Sequence, residues 1–165
     1  FLAGAKDTRY LAFFKDQKDF LAKLERRLRE PDLRSAFYSM LTALGYQIDK
    51  EASQIEAQIA GQPTEGTPLQ ADVESKKDSI LRGLLPIYKN PSEHLPVYLL
   101  AESLVEFDEY IGLWREHHVR VVERVIGFKR GTGGSSGVQY LKSTTGKKCF
   151  PLLWEVRTYL DQGVR

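Results

Sequence analysis

The sequence predicts an all-α fold, and three observations carry the prediction. Apolar residues recur at steps of three and four over most of the 165 residues, the spacing that puts them on one side of a helix. Breakers are spaced at helix lengths: Pro31, Gly45, a Gly/Pro cluster at 61–68 and a glycine-rich run at 131–137. No pair of alternating runs is joined by a hairpin turn, and no internal repeat is present.

Taken in order, Leu11, Phe14, Phe20, Leu21, Leu24 and Leu28 give helical spacing between Thr8 and Glu30, with Asp16 placed to cap a second helix. Pro31 ends that stretch. Asp32 opens a helix through Leu33, Phe37, Met40, Leu41 and Leu44, which Gly45 stops. A short helix is expected over Glu51 to Ala60, then a polar loop near 61–70. The next helix runs from about Ala71 to Tyr88, with Pro86 expected to kink it or end its regular part. The longest pattern starts at Ser92-Glu93-His94 and reaches Phe128, with Pro96 in its first turns. After the glycine-rich loop come short helices at Val138 to Ser143 and Phe150 to Leu160. These elements read as one domain over 1–165.

Composition narrows the function classes. The net charge is +2, from 24 basic and 22 acidic residues, too small an excess to indicate a nucleic-acid or lipid surface. No run of about 18 apolar residues occurs, so no membrane helix is expected, and no secretory signal pattern is present. The single cysteine, Cys149, is expected to be a partly buried small residue and suits a reduced, cytoplasmic setting. With three histidines (His94, His117, His118) and no zinc-type spacing, metal chemistry has to use few protein ligands. Haem meets that condition, because the porphyrin supplies four ligands. The opening Phe1-Leu2-Ala3-Gly4 reads as a cut inside a folded segment, and the chain is expected to be a fragment.

On the long helix, Leu100, Leu104, Phe107, Ile111, Trp114, His118, Val121 or Val122 and Val125 follow one stripe. His118 lies in the middle of it and is expected to face the core. His117, about 100° away, shares a side with Leu113, Arg120 and Arg124 and is expected to face solvent or a polar edge. Periodicity leaves two readings of His118 open: a hydrogen-bonded core histidine, or an iron ligand in an apolar slot. His94, at a loop-to-helix junction, is expected to be a capping or surface residue.

The loop Gly131-Thr132-Gly133-Gly134-Ser135-Ser136-Gly137 fits neither phosphate-binding pattern. A dinucleotide loop needs glycine at Ser136 and a preceding strand. A Walker loop needs Lys-Ser/Thr after Gly137, where Val138 stands. What remains is a flexible connection or a loop whose backbone approaches a ligand closely.

The segments Trp114-Arg115-Glu116-His117-His118, Val122-Glu123-Arg124, Ile126-Gly127-Phe128-Lys129, Gly131 to Gly137 and Tyr140-Leu141-Lys142 closely resemble the tryptophan 2,3-dioxygenase family. Phe150-Pro151-Leu152-Leu153-Trp154 with Arg157-Thr158, and the opening Phe1 to Lys6, resemble it as well. The likeness is sharpest from about Leu100 onward. Thr145-Gly146-Lys147-Lys148 departs from the acidic turn that relatives often carry.

The resemblance implies a helical bundle of the tryptophan/indoleamine dioxygenase type with haem b between helices. It implies His118 as the axial ligand of the haem iron. It also implies Thr132, with Gly131 and Gly133, as contacts to the substrate in a loop that closes over the site; Ala3 and Gly4 fall near the substrate side. The implied reaction inserts O2 into the indole ring of L-tryptophan to give N-formyl-L-kynurenine, the first step of tryptophan catabolism by the kynurenine pathway. The family's distal histidine, its substrate-carboxylate arginine and aromatic residues of the indole pocket are expected upstream of Phe1. A homotetramer is implied too. The alternatives are a related haem enzyme acting on another aromatic substrate, an inactive haem-binding fragment, or a helical module with no cofactor.

Overall fold

The computed structural model describes residues 18–61, 71–127 and 137–161. Among them are seven α-helices and no strand, as the apolar spacing predicts. The backbone divides into two units, residues 1–33 and 34–165. In the first, helix α1 (Lys18–Arg29) is followed by an exposed Arg27–Glu30 ion pair at 2.6 Å. The earlier part of the expected Thr8–Glu30 stretch, with Asp16, lies outside the described residues.

The second unit takes up α2 (Leu33–Ala43) from its second residue, Arg34, and the helix buries Phe37, Tyr38 and Leu41. Its end is a Schellman cap. Gly45, at φ 88°, donates its N–H to Thr42 O, and Tyr46 donates to Leu41 O, both at 3.0 Å. The chain then crosses α4 (Ala71–Lys89) at Gly83. A β-carbon there would sit 2.3 Å from Gln47 O and 2.7 Å from Ile48 Cδ1, so only glycine permits the crossing. Helix α3 (Ala52–Gly61) starts where Asp49 Oδ1 accepts the Glu51 N–H at 2.8 Å.

Helix α4 contributes more to the core than any other described helix, through Ile80, Leu81, Leu84, Leu85, Ile87 and Tyr88. It continues to Lys89, beyond Pro86. Proline removes one donor, and the packed apolar residues on both sides of it hold the helix across that gap. Helix α5 (Leu95–Ile126) has 32 residues, about 48 Å of axis. Helix α6 (Val138–Thr145) follows. The expected helix over Phe150 to Leu160 is split: α7 (Pro151–Glu155) tightens into a 3-10 turn at Val156–Tyr159. Leu152, Leu153 and Val156 of this segment are completely buried against α3, α4 and α5. The core thus lies between α2, α3, α4, α7 and the first half of α5.

Candidate functional site

Helix α5 is attached to the C-terminal segment by polar side chains on one side. Asp108, buried, accepts three N–H groups: Cys149 N at 2.7 Å, Phe150 N at 3.0 Å and Trp154 Nε1 at 3.2 Å. Arg115 donates to Lys147 O at 2.6 Å and to Thr144 O at 3.3 Å. Glu123 pairs with Lys142 of α6 at 2.6 Å. Val119 is buried on the same side, as is Val138 at the start of α6. Steps of seven, four and four residues from 108 through 115 and 119 to 123 keep these groups in line.

His118 and Trp114 lie one position, about 100°, round the helix from that line. The two rings are one turn apart and stack nearly parallel, with centroids 5.2 Å apart and planes 3° apart. His118 is half-buried. Among the described residues its ring nitrogens have no hydrogen-bond partner. Around it the side of α5 is open and apolar: Phe107 is 46%, Trp114 64%, Val121 44% and Val125 75% exposed.

This corrects the expectation that the stripe through His118 faces the core. The covered side of α5 runs through Val97, Ala101, Leu104, Val105, Asp108 and Val119. Helix α5 has apolar residues on more than one side, and periodicity cannot say which of two apolar stripes finds a partner. His117 is exposed, as expected. His94 occupies the N-cap position of α5, but its side chain makes no cap. Its Nδ1 instead meets the Tyr46 hydroxyl at 2.7 Å. Cys149 is half-buried; burial first, and then the neighbouring Asp108 carboxylate, push its thiol above the usual range. Gly131, Thr132 and Gly133 lie outside the described residues, as do Ala3 and Gly4.

Two buried carboxylates, Asp108 and Glu56, are absent from the sequence reading. Glu56 Oε1 accepts the Leu152 N–H at 2.9 Å. Its other oxygen faces Arg34 Nε at 3.6 Å and the Tyr38 hydroxyl, without a hydrogen bond to either. Burial is the main cause that raises its carboxyl to about 7. Arg34 in turn donates to Cys149 O at 2.7 Å. Together Glu56, Arg34 and Asp108 hold the backbone of residues 149–152. The one signal in the sequence was an acidic residue at core spacing, Asp108 four places after Leu104 and Glu56 next to Ile55.

The sequence pattern of tryptophan 2,3-dioxygenase matches residues 74–160, the stretch that contains α5, α6, α7 and every attachment between them. The chain belongs to the tryptophan 2,3-dioxygenase family. Proteins named tryptophan 2,3-dioxygenase are similar along nearly its whole length. That of Paraburkholderia phytofirmans is 36% identical over 160 residues, covering 97% of this chain and 48% of the relative. That of Cupriavidus necator is 34% identical, covering 97% and 50%. Over 89 residues, 54% of this chain and 32% of the relative, identity to the Bradyrhizobium diazoefficiens protein reaches 48%. The chain spans about half the length of the curated relatives it matches. Within the family pattern, Trp154 and the backbone beside Pro151 are the groups that Asp108 and Glu56 hold.

Proposed function

We propose that this chain is the haem-binding portion of a tryptophan 2,3-dioxygenase, with His118 as the axial ligand of haem b. One observation carries the reading: a histidine with no partner on its ring nitrogens among the described residues sits on an open apolar side of a long helix, stacked on Trp114. The donor set fits the group. Haem needs one imidazole from a rigid element and flat apolar surface beside it, and among the described residues no cluster of His, Cys, Asp or Glu offers a rival metal site. An exposed apolar strip of this kind is costly unless something covers it.

When bound, the haem iron supplies the activation of O2 for insertion into the indole ring of L-tryptophan, giving N-formyl-L-kynurenine. The residues of this chain supply position. His118 presents its imidazole from a helix fixed by Asp108 and Arg115. Trp114 keeps the imidazole plane parallel to its own and shields one face from water. Thr132, with Gly131 and Gly133, is assigned to the amino-acid part of the substrate on its motif. The reading includes a cytoplasmic setting, in keeping with the single thiol, and a homotetramer carried over from the family resemblance. Among the described residues no helix is long and apolar enough to cross a membrane.

The test is turnover of L-tryptophan by the haem-loaded holoenzyme under isotopically labelled O2. The reading expects product carrying two labelled oxygen atoms. A product with one labelled atom, or turnover of tyrosine in place of tryptophan, would favour the related haem enzyme instead.

A further inference from the structure

Burial along α5 is uneven. Val97, Ala101, Leu104, Val105 and Asp108 are buried in its first half, and after Asp108 only Val119 is buried. The half that carries His118 therefore lies on α6 with few fully buried side chains. A helix end seated by one buried valine has little resistance to bending away from α6, because burial alone is not directional. Directional contacts have to supply the rest.

Of the polar attachments of α5 described above, Arg115 is the one within a turn of His118. Asp108 stands ten positions away, roughly 15 Å along the axis. Arg115 donates to two carbonyls at once, Thr144 O at the end of α6 and Lys147 O in the turn after it. Both belong to backbone that Asp108 and Arg34 anchor at Cys149. Both bonds come from one nitrogen, Nη1, whose two N–H groups lie in the guanidinium plane, so the two acceptors constrain the direction of that plane, which a freely rotating ammonium group does not do. The carbonyl end of α6 also carries partial negative charge that favours a cation there.

We propose that Arg115 is a positioning residue for His118: by clamping α5 to the end of α6, it sets the direction in which the imidazole and its Trp114 neighbour point. This rests on the reading of His118 as the axial ligand and assigns Arg115 no contact with iron or substrate. Freed of the clamp, the second half of α5 samples a range of bends, and the imidazole would be presented in a range of directions. A misplacement of about 1 Å is enough to slow a reaction by orders of magnitude.

The experiment compares wild-type holoenzyme with Arg115→Met and Arg115→Lys by resonance Raman spectroscopy of the ferrous state, reading the iron–imidazole stretching band. The expected result for Arg115→Met is haem content retained, the band shifted or broadened, and kcat reduced roughly tenfold with KM little changed. Arg115→Lys should lie between, since its ammonium keeps donors for the carbonyls without the fixed plane of the guanidinium. A band that keeps its position and width in Arg115→Met, or merely loses intensity with the folded fraction, overturns the proposal. If Arg115→Met does not fold, the same band in Arg115→Gln decides: shifted supports the proposal, unchanged overturns it. His118→Ala separates this from the ligand assignment, because an unchanged band there defeats the assignment itself, whatever Arg115 does.

Discussion

The Asp108 carboxylate accepts the indole N–H of Trp154 at 3.2 Å, across 46 positions of sequence. With Cys149 N and Phe150 N on the same carboxylate, this joins the long helix to the C-terminal segment. Removing a buried acceptor that serves three donors leaves those donors dry. Asp108→Ala should lose about 3–5 kcal/mol of stability. Asp108→Asn should lose less, because one oxygen remains, but its amide group must face an N–H. Urea unfolding midpoints for the two variants check the order.

Glu56 gives a pH signature whose sign can be worked out. Its folded-state carboxyl lies near 7, against an ordinary value of 4.5. The folded protein therefore binds the proton more tightly than the unfolded chain. The contribution of this group is fully present below about 4.5 and is lost as pH rises through about 7. The rise corresponds to about 3 kcal/mol. Glu56→Gln keeps an oxygen for Leu152 N–H and removes the titration. Relative to wild type, the variant should gain stability as pH rises from 5 towards 7 and level off by pH 8, as chemical denaturation at several pH values would show. A constant difference across that range would contradict the assignment.

Of the described glycines, Gly83 is the one where an added β-carbon would clash. A β-carbon there meets a backbone carbonyl at 2.3 Å, and backbone cannot step aside as a side-chain tip can. Gly83→Ala should destabilise by about 3 kcal/mol despite the better helix propensity of alanine. A thermal melt near that of wild type would show that the 47–48 segment moves freely.

The same distinctions decide how much was readable beforehand. Helix content, most boundaries and the Gly45 stop follow from local spacing and turn chemistry, and the structure has them. The missing donor of Pro86, visible in sequence, predicts a kink or the end of the regular helix; the burial of Leu84, Leu85 and Ile87, which outweighs that loss, depends on α7 lying on α4. The outward side of α5 could not be chosen from sequence, because Leu100, Phe107 and Trp114 look as apolar as Val97, Ala101 and Val105. The ties made by Asp108, Glu56 and Arg115 are not legible in sequence for a related reason. Each is an ordinary charged residue until its partner, Trp154, Leu152 or Lys147, arrives from far along the chain. His94 was expected to cap or lie at the surface, and its tie to Tyr46 depends on the loop after α2.

That tie supplies a contrast for the functional site. His94 stands at the far end of α5 from His118, roughly 36 Å along the axis. Tyr46→Phe removes one half-buried hydrogen bond and should cost about 1 kcal/mol, with haem content and turnover unchanged. A loss of haem in this variant would mean that the start of α5 controls the site from a distance.

The central claim is that His118 holds the iron, and the most direct test is haem content in His118→Gly holoenzyme, measured with and without added imidazole. The account predicts far less than one haem per chain without imidazole and substantial recovery with it, as the free ligand takes the vacated place. Stoichiometric haem in the untreated variant, with an unchanged spectrum, would contradict it.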